Sequence, residues 1–287
     1  MRKDGRRVKG VNPMYSVVPY IMCEKNDSLN YTNVYVPYKP IHDYMNRKRK
    51  SGVTLSHLSL FLAAYVRVLS EMPELNRFVV NRKVYSHNDV QIAMVVLKPG
   101  SDSEETMGKV DLELTDTVFD INRKINDFIA SSRVAEEENG MDKFVKLVNI
   151  PGVLSIGVPI LKWLDKHGWL PRVITHDVSP FHSSLTVSNL ASIRTNQIFH
   201  HIYNFGTTSI LITIGMITKK LEFVDGVPTE VRYLPLGVAM DERIASGLYF
   251  AKAFRRLEKL LKNPELLETP PEKVEYDIPF KEKGRFF

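Results

Sequence analysis

The sequence predicts an α/β protein built as one domain, and three observations carry that reading. Segments with three- and four-residue apolar spacing alternate along the chain with short β-rich segments, the pattern of a sheet flanked by helices. No internal repeat and no break in composition divides the 287 residues into independent units. Apolar residues make up 44% and charged residues 25%, an ordinary globular balance in a chain long enough to bury a substantial core.

Each element has its own signal. Residues 1–50 hold scattered polar and aromatic residues with β-leaning pieces, notably 31–38, before a basic run from Arg47 to Lys50. Leu55, Leu58, Phe61, Leu62, Tyr65, Val66 and Leu69 share one face of a helix predicted over 54–72. Ser51 or Thr54 caps its start and Pro73 stops it. Strands are expected at 79–85 and 90–98 around the turn Ser86-His-Asn-Asp89. A polar loop at 99–108 leads to a strand at 110–114. The next helix carries Val118, Ile121, Ile125, Phe128 and Ile129 on one face, with Thr115 or Asp116 as its cap.

Further strands are expected at 185–189, 209–218 and 231–240, with Asp225-Gly226 as the hairpin turn between the last two. A final helix covers 246–261 and ends at Asn263-Pro264. Residues 1–268 read as the domain, and the proline- and charge-rich 269–287 as an extended tail.

Composition excludes several classes. The net charge of +6 suits general solubility, or an anionic ligand such as a phosphorylated cofactor, better than nucleic acid. The single cysteine, Cys23, leaves no intrachain disulfide, favours a reducing, cytoplasmic setting, and reads as a small buried hydrophobe. The basic opening is not followed by the apolar run of a signal peptide. No stretch is apolar enough for a membrane span. The nearest, 150–170, is broken by Pro151, Pro159 and charges. It reads as a short buried or lid helix, with a membrane surface or a partner as the alternative. The eight histidines show no HExxH or paired spacing, so no metal site is expected, and neither GxGxxG nor a Walker A loop occurs.

The segment Asp241-Glu-Arg-Ile-Ala-Ser-Gly247 follows a predicted strand and opens a predicted helix. It resembles the Asp-His-Arg-x-x-Asp-Gly segment in the catalytic domain of dihydrolipoyl acyltransferases, the E2 components of 2-oxo acid dehydrogenase complexes. Chloramphenicol acetyltransferases carry a related His-His-x-x-x-Asp-Gly. Other landmarks resemble the E2 domain in order. These are Leu58-x-x-Phe61 through Met72-Pro-Glu-Leu-Asn76, Leu185-Thr-Val-Ser-Asn-Leu190, the apolar run 209–215, and Asn263-Pro-Glu-Leu-Leu267.

The resemblance implies a chloramphenicol-acetyltransferase-like fold, a mixed sheet flanked by helices, assembled as a homotrimer with the active-site channel between subunits. It implies coenzyme A, as acyl-CoA, entering from one side and an acceptor from the other. Because no lipoyl-bearing or peripheral-subunit-binding domain precedes residue 1, a stand-alone enzyme or a descendant with another role is expected rather than a conventional E2 chain.

The family's histidine is the general base, and its position holds Glu242. Ser188 matches the hydroxyl that stabilises the oxyanion. Ser246 stands where the family has a structural aspartate and reads as a helix N-cap. Gly247 is kept for the helix-entry turn, and Asp241 reads as an anchor of that turn.

Acyl transfer from a thioester needs a base for the attacking nucleophile and a donor for the tetrahedral oxyanion. A thiol near pKa 8.5 and a carboxylate near 4.3 are mismatched by about 4.2 units, or about 5.7 kcal/mol. Histidine near 6.5 leaves only about 2 units, or about 2.7 kcal/mol. Burial in an apolar channel closes that gap for a glutamate, whereas pairing with an arginine widens it, and Arg243 is adjacent. His176, His182, His200 and His201 are the other channel candidates. Strand alternation lets at most one of His200 and His201 face inward. Arg47 to Lys50 either meet CoA phosphates or are simply solvated.

Two functions follow. An acyl-CoA-dependent transferase requires Glu242 buried in a channel within reach of Ser188, if need be across a subunit boundary. An inactive trimeric homologue with a binding, regulatory or scaffold role predicts a filled or collapsed channel, or Glu242 held in a structural ion pair.

Overall fold

The structure is a computed structural model that describes residues 2–9, 11, 13–97, 105–134 and 152–277. Its strands in chain order are β1 (Gly5–Arg7), β2 (Leu29–Pro37), β3 (Arg77–Val80), β4 (Lys83–His87), β5 (Val90–Leu97), β6 (Glu105–Leu112), β7 (Leu185–Asn189), β8 (Ile210–Ile214), β9 (Thr218–Val224) and β10 (Val227–Asp241). The α-helices are α1 (Pro13–Ile21), α2 (Tyr38–Lys50), α3 (His57–Glu71), α4 (Val118–Val134), α5 (Val158–His167) and α6 (Gly247–Lys262).

β10 organises the main sheet. Its residues 234–241 are all buried, with β2 antiparallel on one edge and β8 antiparallel on the other. Its first half projects as a ribbon with β9, turned by Asp225 and Gly226 at φ 51° and 80°. That is the left-handed pair a two-residue hairpin requires. The sheet continues through β7 and β5 to β6. The β8–β7 and β7–β5 pairs are parallel and the rest antiparallel, so the seven strands form a mixed sheet. A second sheet has the order β1-β4-β3.

Helix α3 packs against α4 and α6, and residues 58–70 are buried on every side rather than along one face. Arg67 survives there because its guanidinium reaches the Leu266 and Thr269 carbonyls at the edge of the core. Ser56, not Ser51 or Thr54, caps α3 by accepting from the Ser59 N–H at 2.9 Å. Thr117, not Thr115 or Asp116, begins α4, with reciprocal bonds to Asp120.

Other boundaries also move. Residues 79–85 are not one strand, because Asn81 and Arg82 adopt φ 50° and 59° and fold β3 onto β4. β6 starts at Glu105, inside the expected loop, because Met107 and Gly108 pair with Val95 and Met94. The run 209–218 splits into β8 and β9, and Met216 N–H between them donates to Thr195 O. Helices α1 and α2 lie where only β-leaning pieces were expected.

Cys23 is exposed, contrary to its reading as a core residue. The expected buried or lid helix is α5, and Leu154, Ile156, Ile160 and Trp163 around it stand more than half exposed. Residues 150 and 151 of that segment lie outside the described residues. Among the described residues no helix is long and apolar enough to cross a membrane. Residues 269–277 pack back on the domain through the Arg77–Asp277 pair and a Glu275 N–H to Ser70 O bond.

Candidate active site

β7 places Thr186 and Ser188 two residues apart, so both project from the same face while Val187 enters the core. That face forms one wall of a cavity of about 470 Å³. Phe181, Tyr203 and Phe205 supply an aromatic wall, with Leu190, Ile198, Ile202 and Leu211 completing a mostly apolar lining. The segment carrying Ile198 crosses the sheet and is fixed there. Thr213 Oγ1 donates to Ile198 O at 2.7 Å and accepts its N–H at 3.1 Å. Gly237 on β10 lets this backbone approach, since a Cβ there would lie 2.3 Å from Ile198 O.

The hydroxyls of the cavity are not equivalent. Thr208 donates to Phe181 O at 3.0 Å, and Thr186 lies 3.4 Å from Ser183 Oγ. The hydroxyl of half-buried Ser188 has no hydrogen-bond partner among the described residues. It is therefore free to donate to a ligand in the cavity.

The strand register separates Ser188 from Glu242. Ser188 pairs with Thr213, which pairs with Gly237. Glu242 follows β10 five residues beyond Gly237, about 17 Å further along the strand at roughly 3.4 Å per residue. Glu242 is half-buried, accepts a hydrogen bond from Asn30 Nδ2 on β2, and donates its own N–H to Ser28 O. It forms no ion pair among the described residues.

The neighbouring arginine turns the other way. Arg243 Nε and Nη2 bind the Asp241 carboxylate at 2.8 and 2.7 Å, and Arg243 Nη1 donates to the Met22 and Cys23 carbonyls. Both members of this pair are buried, and Ser28 Oγ adds a bond to Asp241 at 2.9 Å. Ser246 caps α6 by accepting the Tyr249 N–H at 3.1 Å. Gly247 has open space around it and no positive φ, so the helix entry makes no steric demand for glycine here.

No protein-family model and no curated protein sequence matches the chain. Solved structures do. A probable dihydrolipoamide acetyltransferase from Listeria monocytogenes matches with a TM-score of 0.58 and 15% identity, over 90% of this chain and 95% of that one. The cubic core of the pyruvate dehydrogenase multienzyme complex matches with a TM-score of 0.58 and 14% identity, over 83% of each chain. A chloramphenicol acetyltransferase matches with a TM-score of 0.53 and 10% identity, over 90% and 99%. The fold is chloramphenicol-acetyltransferase-like. At these identities the likeness concerns architecture, and the chemistry of this chloramphenicol-acetyltransferase-like chain must be argued from its own residues.

The remaining candidates scatter within that fold. His200 lines the cavity, whereas His201 faces solvent and stacks edge-on against Tyr203. They lie in an irregular segment, so strand alternation does not decide between them. His182 is buried away from the cavity, with Nδ1 2.7 Å from Ser179 Oγ and Nε2 3.3 Å from Asp165. His176 contacts Asp177, Asp89 and Asp111 near the surface.

Asp4, Asp165 and His182 hold ligand atoms within 4.8 Å of one another. The Arg2 guanidinium lies 2.7 Å from both carboxylates and takes the place a cation would fill. Burial works against ionisation of Asp165, but His182 and Arg2 outweigh it and hold its carboxyl down at about 2. Arg47 and Lys48 pair with Glu265 and Glu268 on the C-terminal segment.

Sequence reasoning missed the aromatic wall, Asn30 and the cluster around Arg2. Phe181, Tyr203 and Phe205 are separated by loops without periodicity. Asn30 meets Glu242 only through the β2–β10 pairing.

Proposed function

We propose that the protein transfers, or at least binds, an acyl group carried as a thioester such as acyl-CoA, in a site completed by a second copy of the chain. The observation that carries this is the free Ser188 hydroxyl at an apolar cavity, with the acid–base candidate Glu242 two strands across the sheet and about 17 Å further along it in the same subunit. One subunit does not bring the two together; a neighbour's Glu242 turn against the Ser188 cavity does, as in the homotrimer the fold resemblance implies. The β9–β10 ribbon, with Leu221, Phe223 and Val227 more than 60% exposed, supplies apolar surface for such packing.

In the transfer step, Glu242 accepts the proton of the acceptor's thiol, hydroxyl or amine as that atom attacks the thioester carbonyl. Ser188 donates to the oxyanion of the tetrahedral intermediate. Collapse expels the thiolate, which takes the proton back from Glu242. Residues 1–268 form this acyltransferase-like domain, and 269–287 its tail.

A second reading rests on the Asn30 bond. Glu242 already holds a protein donor, as in a catalytically inactive homologue acting as a binding, regulatory or scaffold trimer, whereas the open cavity and the lack of an ion pair at Glu242 among the described residues favour the transferase.

Turnover of an acyl-CoA panel separates the two. Transfer in the wild type, with loss in both Ser188→Ala and Glu242→Gln, supports the enzyme. Refolding the two variants together should then restore about a quarter of wild-type activity, because random assembly pairs an intact Ser188 with an intact Glu242 at about one interface in four. No recovery would exclude a shared site. Binding without turnover, unchanged by Glu242→Gln, favours the inactive homologue.

A further inference from the structure

A second cleft of about 560 Å³ shares Phe205 with the Ser188 cavity but differs from it in chemistry. Lys25, Arg82, Lys162 and Lys166 line it, and none of them forms an ion pair among the described residues. The other charged groups in its walls are mostly neutralised. Arg243 is held by Asp241 and Asp165 by Arg2, which leaves Glu24 as the unpaired acid. Four cations therefore face one carboxylate across a concave surface of ligand size.

The cations come from three separate elements. Lys162 and Lys166 sit one turn apart on α5, a like-charged i,i+4 pair that weakens the helix slightly on its own. Arg82 sits at the left-handed turn between β3 and β4. Lys25 precedes β2 and is 3% exposed. Its ammonium donates to Gly206 O at 2.8 Å, leaving two of its three N–H donors without an acceptor among the described residues. Buried donors left this way are costly unless something accepts from them.

We infer that this cleft binds a phosphorylated small molecule, with Lys25 at its floor and Arg82, Lys162 and Lys166 on its rim contacting a phosphate or diphosphate group. A multiply charged anion supplies both the acceptors that Lys25 lacks and the charge that separates the rim cations from one another. Asn204 and Trp163 add a polar and an aromatic contact in the same wall. The inference stands apart from acyl transfer, since it concerns equilibrium binding in a different cleft.

Burial lowers the Lys25 pKa to about 8, with Asp241 and Asp165 acting to raise it and Arg243 and Arg2 to lower it. A bound anion favours the charged ammonium, so affinity is full below pH 8 and declines above it. Glu24, Cys23, Asp165, Lys162 and Lys166 are the other titratable groups in the wall, beside the guanidinium groups of Arg82 and Arg243.

Cys23, the only cysteine of the chain, lines the cleft and reports its occupancy. Alkylation of Cys23 by iodoacetamide is followed in the full-length protein with pyrophosphate, with CoA and with pantetheine. Pyrophosphate should slow alkylation saturably, and more tightly at pH 7 than at pH 9. Lys162→Gln/Lys166→Gln, on the exposed rim where folding is safe, should raise its apparent Kd by roughly tenfold or more. Protection by CoA but not by pantetheine, lost in the same variant, identifies the phosphates of CoA as the source. Protection by pyrophosphate alone identifies a separate phosphorylated ligand. No protection by either at millimolar concentration, or protection that the double variant retains, overturns the proposal.

Discussion

Asp241 accepts four hydrogen bonds, from the Arg243 backbone N–H, the two guanidinium nitrogens and the Ser28 hydroxyl, with no exposed surface of its own. This commitment has a consequence one residue along the chain. The arginine that sequence proximity would assign to Glu242 is taken, so Glu242 keeps its carboxylate for Asn30. Removing Asp241 leaves the Arg243 charge buried without its partner. Asp241→Ala should therefore lower unfolding free energy by about 3–5 kcal/mol in urea denaturation. A loss below about 1 kcal/mol would mean that the pair is solvated in solution. Ser188 is the opposite case, a half-buried hydroxyl with no partner among the described residues, and replacing it should cost the fold little while removing the donor the cavity presents.

Among the elements, β10 does three things along its length. It projects the ribbon with β9, carries Gly237 under the crossing segment, and ends in the Asp241 turn that opens α6. The crossing segment is the part of the cavity wall least supported by regular structure, held by the paired Thr213–Ile198 bonds and by the absence of a side chain at 237. Gly237→Ala drives a methyl group into Ile198 O, and overpacking of this kind typically costs about 1–3 kcal/mol. The expected result is a matching drop in urea stability, with faster proteolysis after the exposed Arg194. Unchanged proteolysis would show that the strand shifts instead of the crossing segment.

Across the whole molecule, the N-terminal segment ties the small sheet to α5 through Arg2, Asp4, Asp165 and His182, with His87 on β4 beside them. Burial pushes the His87 pKa down to about 3 in the folded protein, against about 6.5 when unfolded. The unfolded chain thus binds a proton that the folded one refuses. Stability is full above about pH 6.5 and falls toward pH 3, by up to about 1.4 kcal/mol per pH unit. Asp165, held at about 2, adds its own loss below about pH 4. Urea denaturation between pH 7 and pH 4 should show this decline, and His87→Gln should flatten its upper part. A wild-type profile level from pH 7 to pH 5 would show that His87 is hydrated.

Patterning determined much of this by itself. Apolar periodicity located α3 and α4, the Asn263-Pro264 stop bounded α6, the Asp225-Gly226 pair located a hairpin, and the ordered landmarks pointed to the fold that solved structures share. These signals are legible because they arise within a single turn or a single strand, where neighbours in sequence are neighbours in space. The Asn81–Arg82 turn escaped because neither residue is a glycine, and α1 and α2 because their apolar faces are short and interrupted. Only the tertiary structure decided the chemistry on offer. Strand register set Ser188 and Glu242 far apart, Arg243 chose Asp241 over Glu242, and Lys25 and the α5 lysines came to line one cleft through packing between distant segments. The motif from Asp241 to Gly247 names the residues in the turn; which way each side chain faces depends on β2, β8 and the N-terminal segment folding against it.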